Sequence, residues 1–244
     1  MSFFKNKQNH KIAYKSLNGR GLGIIFIHGL NSDMNGAKAI TVEKYARKNN
    51  LNFIRFDCRG HGKSEGKFEE FTISDWRKDL LDIIDNIAKG PQILIGSSMG
   101  GWLMMLATKA RPQRIKGMIG LAAAPDFGKD LYNNLNKKNK REITSKGITK
   151  YMSYGFPFYL TKKFFIEAEK NRVLKKQFHY TKPLVLIHGL KDDVVKEDVP
   201  KKILKKVTGK NVNIIYLKES DHRLSSDTDL QIITQSIEYI RNLK

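Results

Sequence analysis

Several features that would define a protein's class at once are scarce in this sequence of 244 residues. It has one cysteine, Cys58, which excludes a disulfide within the chain and leaves no cysteine-based metal site. No apolar run approaches the roughly 18–20 residues that a membrane-spanning helix needs. The N-terminal residues show neither the apolar segment of a secretory signal nor a convincing transit sequence. We therefore expect a cytoplasmic protein without a transmembrane segment.

Acidic residues are also scarce, because 45 Lys and Arg outnumber 24 Asp and Glu and give a net charge of +21. Such an excess is typical of nucleic-acid-binding proteins when it is clustered and rich in Arg. Here the basic residues are scattered and are mostly Lys. We favour a basic solvated surface and expect no specific nucleic acid as a partner. Weak attraction to acidic partners or anionic membranes at low salt stays open.

What the sequence does contain is an alternation of apolar runs and amphipathic stretches. The runs predict buried strands and the stretches, with helical spacing, predict helices. Strands are predicted over residues 23–28, 52–57, 92–97, 117–124, 183–188 and 212–218, with candidate edge strands around 3–4 and 11–15. Helices are predicted over residues 37–49, 72–88, 101–111, 199–207 and 227–243. This order indicates an α/β fold with a mainly parallel sheet and helices on both faces.

Residues 126–180 interrupt this alternation. No buried strand is evident there, and the segment is too long for an ordinary loop. Its second half, YMSYGFPFYLTKKFF, is rich in aromatic residues. We expect one domain over residues 1–244 with an inserted helical cap at about 126–180. Tyr154, Phe156 and Phe158 are candidates for lining a substrate site, although the aromatics would also serve to pack the cap on the body.

The pattern Gly-x-Ser-x-Gly occurs twice, around Ser64 and around Ser98. A nucleophilic serine of this pattern needs a buried strand before it, a tight turn of small residues, and a helix directly after it. Ser98 follows the apolar run QILIGS and precedes the helix-like GWLMMLATKAR. Ser64 is followed by EGKFEEF, and the next predicted helix begins only at residue 72. The sequence therefore predicts Ser98 as the nucleophile.

A serine hydroxyl needs a general base, and the base needs a carboxylate that orients it. In a sheet of this kind these groups follow the serine, each on a loop after a later strand. Among the six histidines, only His222 follows the last predicted strand. The acid is expected after the strand PLVLIH, where Asp192 and Asp193 are both candidates. Asp126, after the preceding strand, is a third candidate.

An oxyanion hole would complete such a site. The strand GIIFIHGL ends at His28-Gly29-Leu30, where a turn would present the backbone N–H of Leu30. Together with the N–H of Met99, it would stabilise negative charge that develops on a reacting carbonyl oxygen. Each donor of this type is typically worth about 10²–10³ in rate.

The segments HGLNSD, FDCRGHGKS, GSSMGG, HGLKDD and SDHR, in this order, resemble the signposts of the α/β-hydrolase superfamily. The longer stretches GIIFIHGLNSDMNGAKA and WRKDLLDIIDNIAKGPQILIGSSMGGWLM resemble its mitochondrial palmitoyl-protein thioesterase and acyl-glucuronide esterase branch. The resemblance implies an α/β-hydrolase fold, with Ser98 as nucleophile, Asp192 as acid, His222 as base, and Leu30 and Met99 as oxyanion donors. The absence of a transit sequence favours a cytoplasmic bacterial relative of that branch.

The expected activity is hydrolysis of carboxylic esters or acyl thioesters on small-molecule or acylated-protein substrates, through an acyl-enzyme. No metal or organic cofactor is expected. A serine peptidase of the same fold is the alternative within enzymes. A non-catalytic binding protein of the hydrolase fold is a further one, which the presence of all three catalytic residue types disfavours.

Overall fold

The structure, a computed structural model, describes residues 1–153 and 156–243. The strands are β1 (Ser2–Lys5), β2 (Lys11–Leu17), β3 (Gly23–Ile27), β4 (Asn52–Phe56), β5 (Gln92–Ser97), β6 (Ile115–Leu121), β7 (Ile148–Ser153), β8 (Phe156–Thr161), β9 (Leu184–Gly189) and β10 (Val212–Leu217). The helices are α1 (Ala37–Lys48), α2 (Ile73–Asp82), α3 (Met99–Ala110), α4 (Gly128–Asn134), α5 (Lys137–Lys146), α6 (Lys162–Lys170), α7 (Val199–Lys206) and α8 (Asp227–Asn242).

Eight strands form one sheet in the order β1-β2-β4-β3-β5-β6-β9-β10. The pairs from β4 to β10 are parallel, whereas β1 and β2 join the edge beside β4 in antiparallel register. The predicted strands, helices and mainly parallel sheet are therefore confirmed, with shifts of a few residues at their ends. The helix predicted over residues 72–88 is α-helical only as far as Asp82 and continues as a π-helical segment over Ile83–Ile87. In the described part of the chain, no helix has the length and apolar character needed to cross a membrane.

Both faces of the sheet are covered, as the continuous apolar strands require. Alternate residues of β3 point to opposite sides, so that Ile25 and Ile27 join one core while Ile24 and Phe26 join the other. The first core includes side chains of α2, α3 and the segment between β6 and β9. The second includes side chains of α1 and α8. This layering leaves the carboxyl ends of β3, β5, β9 and β10 free to carry loops.

Residues 126–180, which we call the cap, connect β6 to β9 and contain α4, α5, α6 and a hairpin of β7 and β8. The expectation of a cap without strands is wrong over Ile148–Ser153 and Phe156–Thr161. There the side chains alternate with the period of a strand: Phe158 and Leu160 are buried, whereas Met152 and Tyr159 are exposed. The aromatic richness of this stretch thus marks the inner face of a hairpin.

Asp126, one of the three candidates for the catalytic acid, fastens the two ends of the cap together. Its carboxylate accepts hydrogen bonds from the backbone N–H of Val173 at 2.7 Å and of Leu174 at 2.9 Å. The Arg172 guanidinium lies 3.7 Å from the same carboxylate. The Asp126 carboxylate is therefore occupied by contacts that hold the cap, and it lies on a different loop from the other two candidate acids, Asp192 and Asp193.

Candidate active site

Ser98 lies in a sharp turn between the carboxyl end of β5 and the first residue of α3. Its φ of 53° and ψ of −116° are unusual for a residue with a side chain. A close approach of backbones makes glycine necessary beside it, because a Cβ at Gly100 would overlap the carbonyl oxygen of Ile27 at the end of β3. The turn is also fixed by the hydrogen bond that Ser98 N–H donates to the carbonyl oxygen of Leu121, the last residue of β6, at 2.9 Å.

His222 and Asp192 come to Ser98 from two later loops. His222 Nε2 lies 3.2 Å from Ser98 Oγ, and His222 Nδ1 lies 2.8 Å from Asp192 Oδ2. The imidazole is 14% exposed and the carboxylate is fully buried. The structure thus brings together the three side chains that the sequence predicted, in the order hydroxyl, imidazole, carboxylate.

Asp192 is held as an anion by its own loop. Its Oδ1 accepts hydrogen bonds from the backbone N–H of Val194 at 2.9 Å and of Val195 at 2.8 Å. Burial by itself would raise the pKa of this carboxyl, but the hydrogen bonds from His222, Val195 and Val194 outweigh it and hold the pKa below its usual range. Asp193, the neighbouring candidate, is exposed. Among the three candidate acids, Asp192 is the one bonded to His222.

The loop after β3 passes directly beside Ser98. A Cβ at Gly29 would lie 3.3 Å from Ser98 Cβ and 3.9 Å from Ser98 Oγ, so only a residue without a side chain fits easily there. Leu30 follows in this loop. Met99 opens α3, where the first backbone N–H groups have no partner within the helix. Their assignment as oxyanion donors stays a prediction, and the loop lies where that prediction requires it.

Two buried histidines that the sequence analysis did not use brace this loop. His28 Nδ1 donates to Gly29 O at 2.7 Å, and Asn31 N–H donates to His61 Nε2 at 3.3 Å. Burial lowers the pKa of His28, and burial together with the neighbouring His28 lowers the pKa of His61 to about 3. Both imidazoles are thus neutral. His61 lies in the run RGHG, which we treated only as part of the surroundings of Ser64, and His28 lies in the run IHGL at the end of β3.

A cavity of about 990 Å³ opens above Ser98 and His222. Its lining includes apolar side chains of the cap, namely Phe127, Leu131, Tyr151, Met152 and Phe158. It also includes charged residues of both signs, namely Lys38, Lys196, Lys202, Arg223, Asp33, Asp130 and Asp193. Among the described side chains, no group of three or more His, Cys, Asp or Glu is arranged to hold a metal ion.

The three aromatics predicted to line a substrate site have different outcomes. Phe158 is 6% exposed, lines the cavity, and packs edge-on against Phe68 with ring centroids 5.2 Å apart. Phe156 is the first residue of β8. Tyr154 lies outside the described residues. Their roles in substrate binding stay predictions.

Comparison with known proteins indicates the family to which this chain belongs. A family model described as "Serine aminopeptidase, S33" matches residues 22–153. "Palmitoyl-protein thioesterase ABHD10, mitochondrial" from Bos taurus and from Homo sapiens are each 39% identical over 242 residues, which is 98% of this chain and 79% of theirs. The solved structure "Alpha/beta hydrolase domain-containing protein 10 from mouse" is similar with a TM-score of 0.91 and 38% identity, covering 99% of this chain and 98% of that one.

The eight-stranded sheet and the turn that presents Ser98 define an α/β-hydrolase, an enzyme of the esterase type. Within that class, the extent of the similarity is decisive, because it runs over almost the whole chain, cap included. The chain belongs to the ABHD10 family of α/β-hydrolases.

The expectation of a cytoplasmic location is wrong. The relatives that match over 98% of the chain are named as mitochondrial, and they point to a mitochondrial location instead. The expectation rested on the N-terminal residues, on the lone cysteine and on the lack of long apolar runs. The last two features do not distinguish one reducing compartment from another.

Proposed function

We propose that this enzyme is a serine hydrolase of carboxylic esters and acyl thioesters that acts through an acyl-enzyme on Ser98. One observation carries the proposal: His222 bridges Ser98 Oγ and Asp192 Oδ2 at hydrogen-bonding distances of 3.2 and 2.8 Å. An imidazole that contacts a hydroxyl through one nitrogen and a buried carboxylate through the other can accept the hydroxyl proton while its orientation stays fixed.

The reaction follows from this geometry in two halves. Ser98 Oγ attacks the acyl carbonyl as His222 Nε2 takes its proton, and the carboxylate of Asp192 stabilises the imidazolium that forms. The N–H groups of Leu30 and Met99 stabilise the oxyanion of the tetrahedral intermediate. The C–O or C–S bond then breaks, and His222 returns the proton to the departing alcohol or thiol. Water, deprotonated by His222, releases the acid from Ser98 by the same steps.

The apolar residues that line the cavity support an acyl chain as the group that is bound. Tyr151 and Phe158 face it from the hairpin, with ring centroids 5.5 Å apart, and Leu131 faces it from α4. The volume of about 990 Å³ is at the upper end of the roughly 300–1,000 Å³ that small-molecule sites occupy. The relatives named palmitoyl-protein thioesterase provide independent support for long acyl substrates.

A direct test compares p-nitrophenyl esters with acyl-CoA and acyl-cysteine thioesters of graded chain length, below their micelle-forming concentrations. Each methylene that becomes buried contributes up to about 0.8 kcal/mol, roughly a fourfold gain in kcat/KM. We expect kcat/KM to rise by about 10²–10³ from the two-carbon to the eight-carbon ester, allowing for incomplete burial. A flat or falling series would contradict an acyl site in the cavity.

The same series locates the acyl site within the molecule. Phe158→Ala should flatten the rise with chain length and leave activity on the two-carbon ester nearly unchanged, because a short acyl group does not reach the hairpin. Tyr159→Ala is the matched control, since Tyr159 is the next residue of β8 and is 43% exposed on the outer face. Equal flattening by both variants would argue against the cap as the acyl site.

A serine aminopeptidase is the second candidate, and the description of the matching family model is the observation that favours it. The same three side chains would cleave an amide after attack by Ser98. Aminoacyl p-nitroanilides discriminate the two, because an esterase of this type should leave them intact. A kcat/KM on any of them that exceeds the value for the best ester would replace the first proposal by the second.

A non-catalytic binding protein of this fold would not react with a fluorophosphonate probe. Such probes form a covalent bond only with a serine whose hydroxyl is activated by a base. We expect stoichiometric labelling of the native chain at Ser98 and none after Ser98→Ala. Absence of labelling in the folded native protein would favour the binding protein.

A further inference from the structure

Lys38 is a half-buried lysine at the active site that the proposed reaction does not use. It is the second residue of α1, the helix that follows the loop with Gly29 and Leu30. It lines the cavity together with Ser98 and His222. Its ammonium group donates a hydrogen bond to the backbone carbonyl of Arg223, the residue directly after His222.

Local rules oppose a lysine at this position. A cation in the first turn of a helix faces the positive end of the helix dipole, and the structure records no acidic side chain in the first turn of α1 and no side chain that caps it. Burial adds a desolvation cost and lowers the pKa of Lys38 to about 8. The charge is stabilised by tertiary partners instead, namely the carboxylates of Asp221, Asp229 and Asp192. A residue that is unfavourable locally and favourable only toward the active site is typical of a functional position.

The loop that carries His222 is supported on its amino-terminal side by the acid loop. Lys191 N–H donates to Ser220 O at 2.9 Å, and the Ser220 hydroxyl contacts the Asp229 carboxylate on α8. After His222 the backbone turns through Leu224, whose φ of 48° is unusual for a leucine. The contact from Lys38 reaches this loop at Arg223, between Ser220 and Leu224, and comes from the helix that follows the loop with Gly29 and Leu30. It thus links the element that follows Leu30 to the element that holds the base.

We propose that Lys38 is a positioning residue that fixes the His222 loop through the Arg223 carbonyl and so keeps the imidazole in reach of Ser98 Oγ. The inference rests on the proposed function, because it assigns Lys38 a role in the use of His222 as the base. A misplacement of about 1 Å at a reacting group can cost about 10²-fold in rate. Lys38 therefore contributes to turnover without touching the reacting atoms.

The test uses p-nitrophenyl butyrate, a short neutral ester that offers no charge for an ammonium group to bind. Lys38→Met keeps the length of the side chain and removes its charge and its hydrogen bonds. We expect kcat to fall by about 10–100-fold, with KM within about twofold of the native value. Thermal stability should stay the same or rise, since a half-buried cation at a helix N-terminus is removed. A purely structural lysine would show the opposite pattern, with a lower Tm and an unchanged kcat.

The pH dependence provides a second readout. In the native enzyme Lys38 loses its proton as the pH rises through about 8, so that its amine becomes a weaker hydrogen-bond donor to the Arg223 carbonyl and loses the attraction to the carboxylates of Asp221, Asp229 and Asp192. We expect kcat to decline above that pH. Lys38→Arg stays charged because the guanidinium does not deprotonate in this range. It should restore kcat to within about fivefold of native and lack the decline, whereas Lys38→Met should be slow at every pH.

Lys44→Met is the matched control, because Lys44 lies on the same helix and is exposed. It should leave kcat, KM and the pH profile unchanged. The proposal is overturned if Lys38→Met turns over as fast as Lys44→Met, or if it raises KM alone, which would make Lys38 a substrate-binding residue. Both outcomes are distinguishable from failure of the proposed function, in which Ser98→Ala itself would retain activity.

Discussion

Ser64 and Ser98 occupy the same Gly-x-Ser-x-Gly pattern, yet their hydroxyl groups have different partners. The Ser64 hydroxyl donates to the Asp57 carbonyl at 2.6 Å and accepts from Ala13 N–H at 2.9 Å, so the backbone occupies it on both sides. The Ser98 hydroxyl contacts the imidazole of His222 and borders the cavity. The comparison teaches that the same pattern can place a serine hydroxyl against the backbone or against an imidazole, so the pattern alone does not predict a nucleophile.

The Ser64 segment has a structural task of its own. Asp57 accepts hydrogen bonds from Met34 N–H at 2.7 Å and Lys63 N–H at 2.8 Å, which ties the loop after β3 to the turn around Ser64. A Cβ at Gly62 would overlap the Asp57 carboxylate, and its φ of 52° also favours glycine. The glycines of this segment thus allow a tight turn that braces the proposed oxyanion loop. One copy of the pattern presents a hydroxyl, and the other supports the loop beside it.

The largest expected effect separates the two serines by activity. Ser98→Ala should lower kcat by about 10⁵–10⁶, because the covalent step is lost. Ser64→Ala should keep kcat within a few fold of native. Steady-state hydrolysis of p-nitrophenyl butyrate measures both, and circular dichroism checks that each variant is folded. Comparable losses in two folded variants would break the comparison.

The next effect tests the carboxylate that contacts the imidazole beside Ser98. Asp192→Asn should lower kcat by about 10⁴, because an amide favours the wrong imidazole tautomer and does not stabilise an imidazolium. Asp193→Asn, on the exposed neighbour, should change kcat by less than about fivefold. The pair is measured in the same ester assay. A reversed ranking would assign the acid to Asp193.

A smaller effect tests His61, which accepts a hydrogen bond from the loop after β3. His61 has a pKa of about 3 in the folded state, against about 6.5 when unfolded, so only the unfolded state takes up a proton as the pH falls from 7.5 to 5. This group should therefore remove about 2 kcal/mol of stability over that interval. In His61→Gln that part of the pH dependence should be absent. Urea unfolding of both proteins at the two pH values gives the difference, and parallel losses would exclude a neutral His61.

The smallest effect gives the two serines opposite signs in stability. Ser64→Ala removes a hydroxyl that satisfies two backbone groups and should lower the free energy of unfolding by about 1–2 kcal/mol. Ser98→Gly relieves an unfavourable φ and should raise it by about 1 kcal/mol. Urea unfolding at pH 7.5 measures both changes. If Ser98→Gly is destabilising, the turn at Ser98 is not strained.

The sequence predicts the sheet and the meeting of Ser98, Asp192 and His222 because each signal is local. Buried strands are continuous apolar runs, and the three loops follow the ends of their strands. The sequence does not separate Asp126 from Asp192, since the carboxylate of Asp126 finds its partners 47 and 48 residues further along the chain. Contacts of that range depend on how the cap folds back.

Two other features were missed for different reasons. The hairpin of β7 and β8 has a strand period, with Phe158 and Leu160 buried and Tyr159 exposed between them, but so short a run of aromatics also fits a helix. The task of His61 was missed because its hydrogen bond goes to a backbone N–H on another loop. A side chain that supports a backbone leaves no motif in the sequence.

The junction at Asp126 makes the cap a separate insertion between two neighbouring strands of the sheet. The carboxylate joins the two ends of the cap, so everything between Asp126 and Val173 begins and finishes at one point on the sheet. The strands on either side, β6 and β9, pair directly with each other. We therefore expect that a different cap can be inserted at this junction, in evolution or by protein engineering, while Ser98, Asp192 and His222 keep their positions.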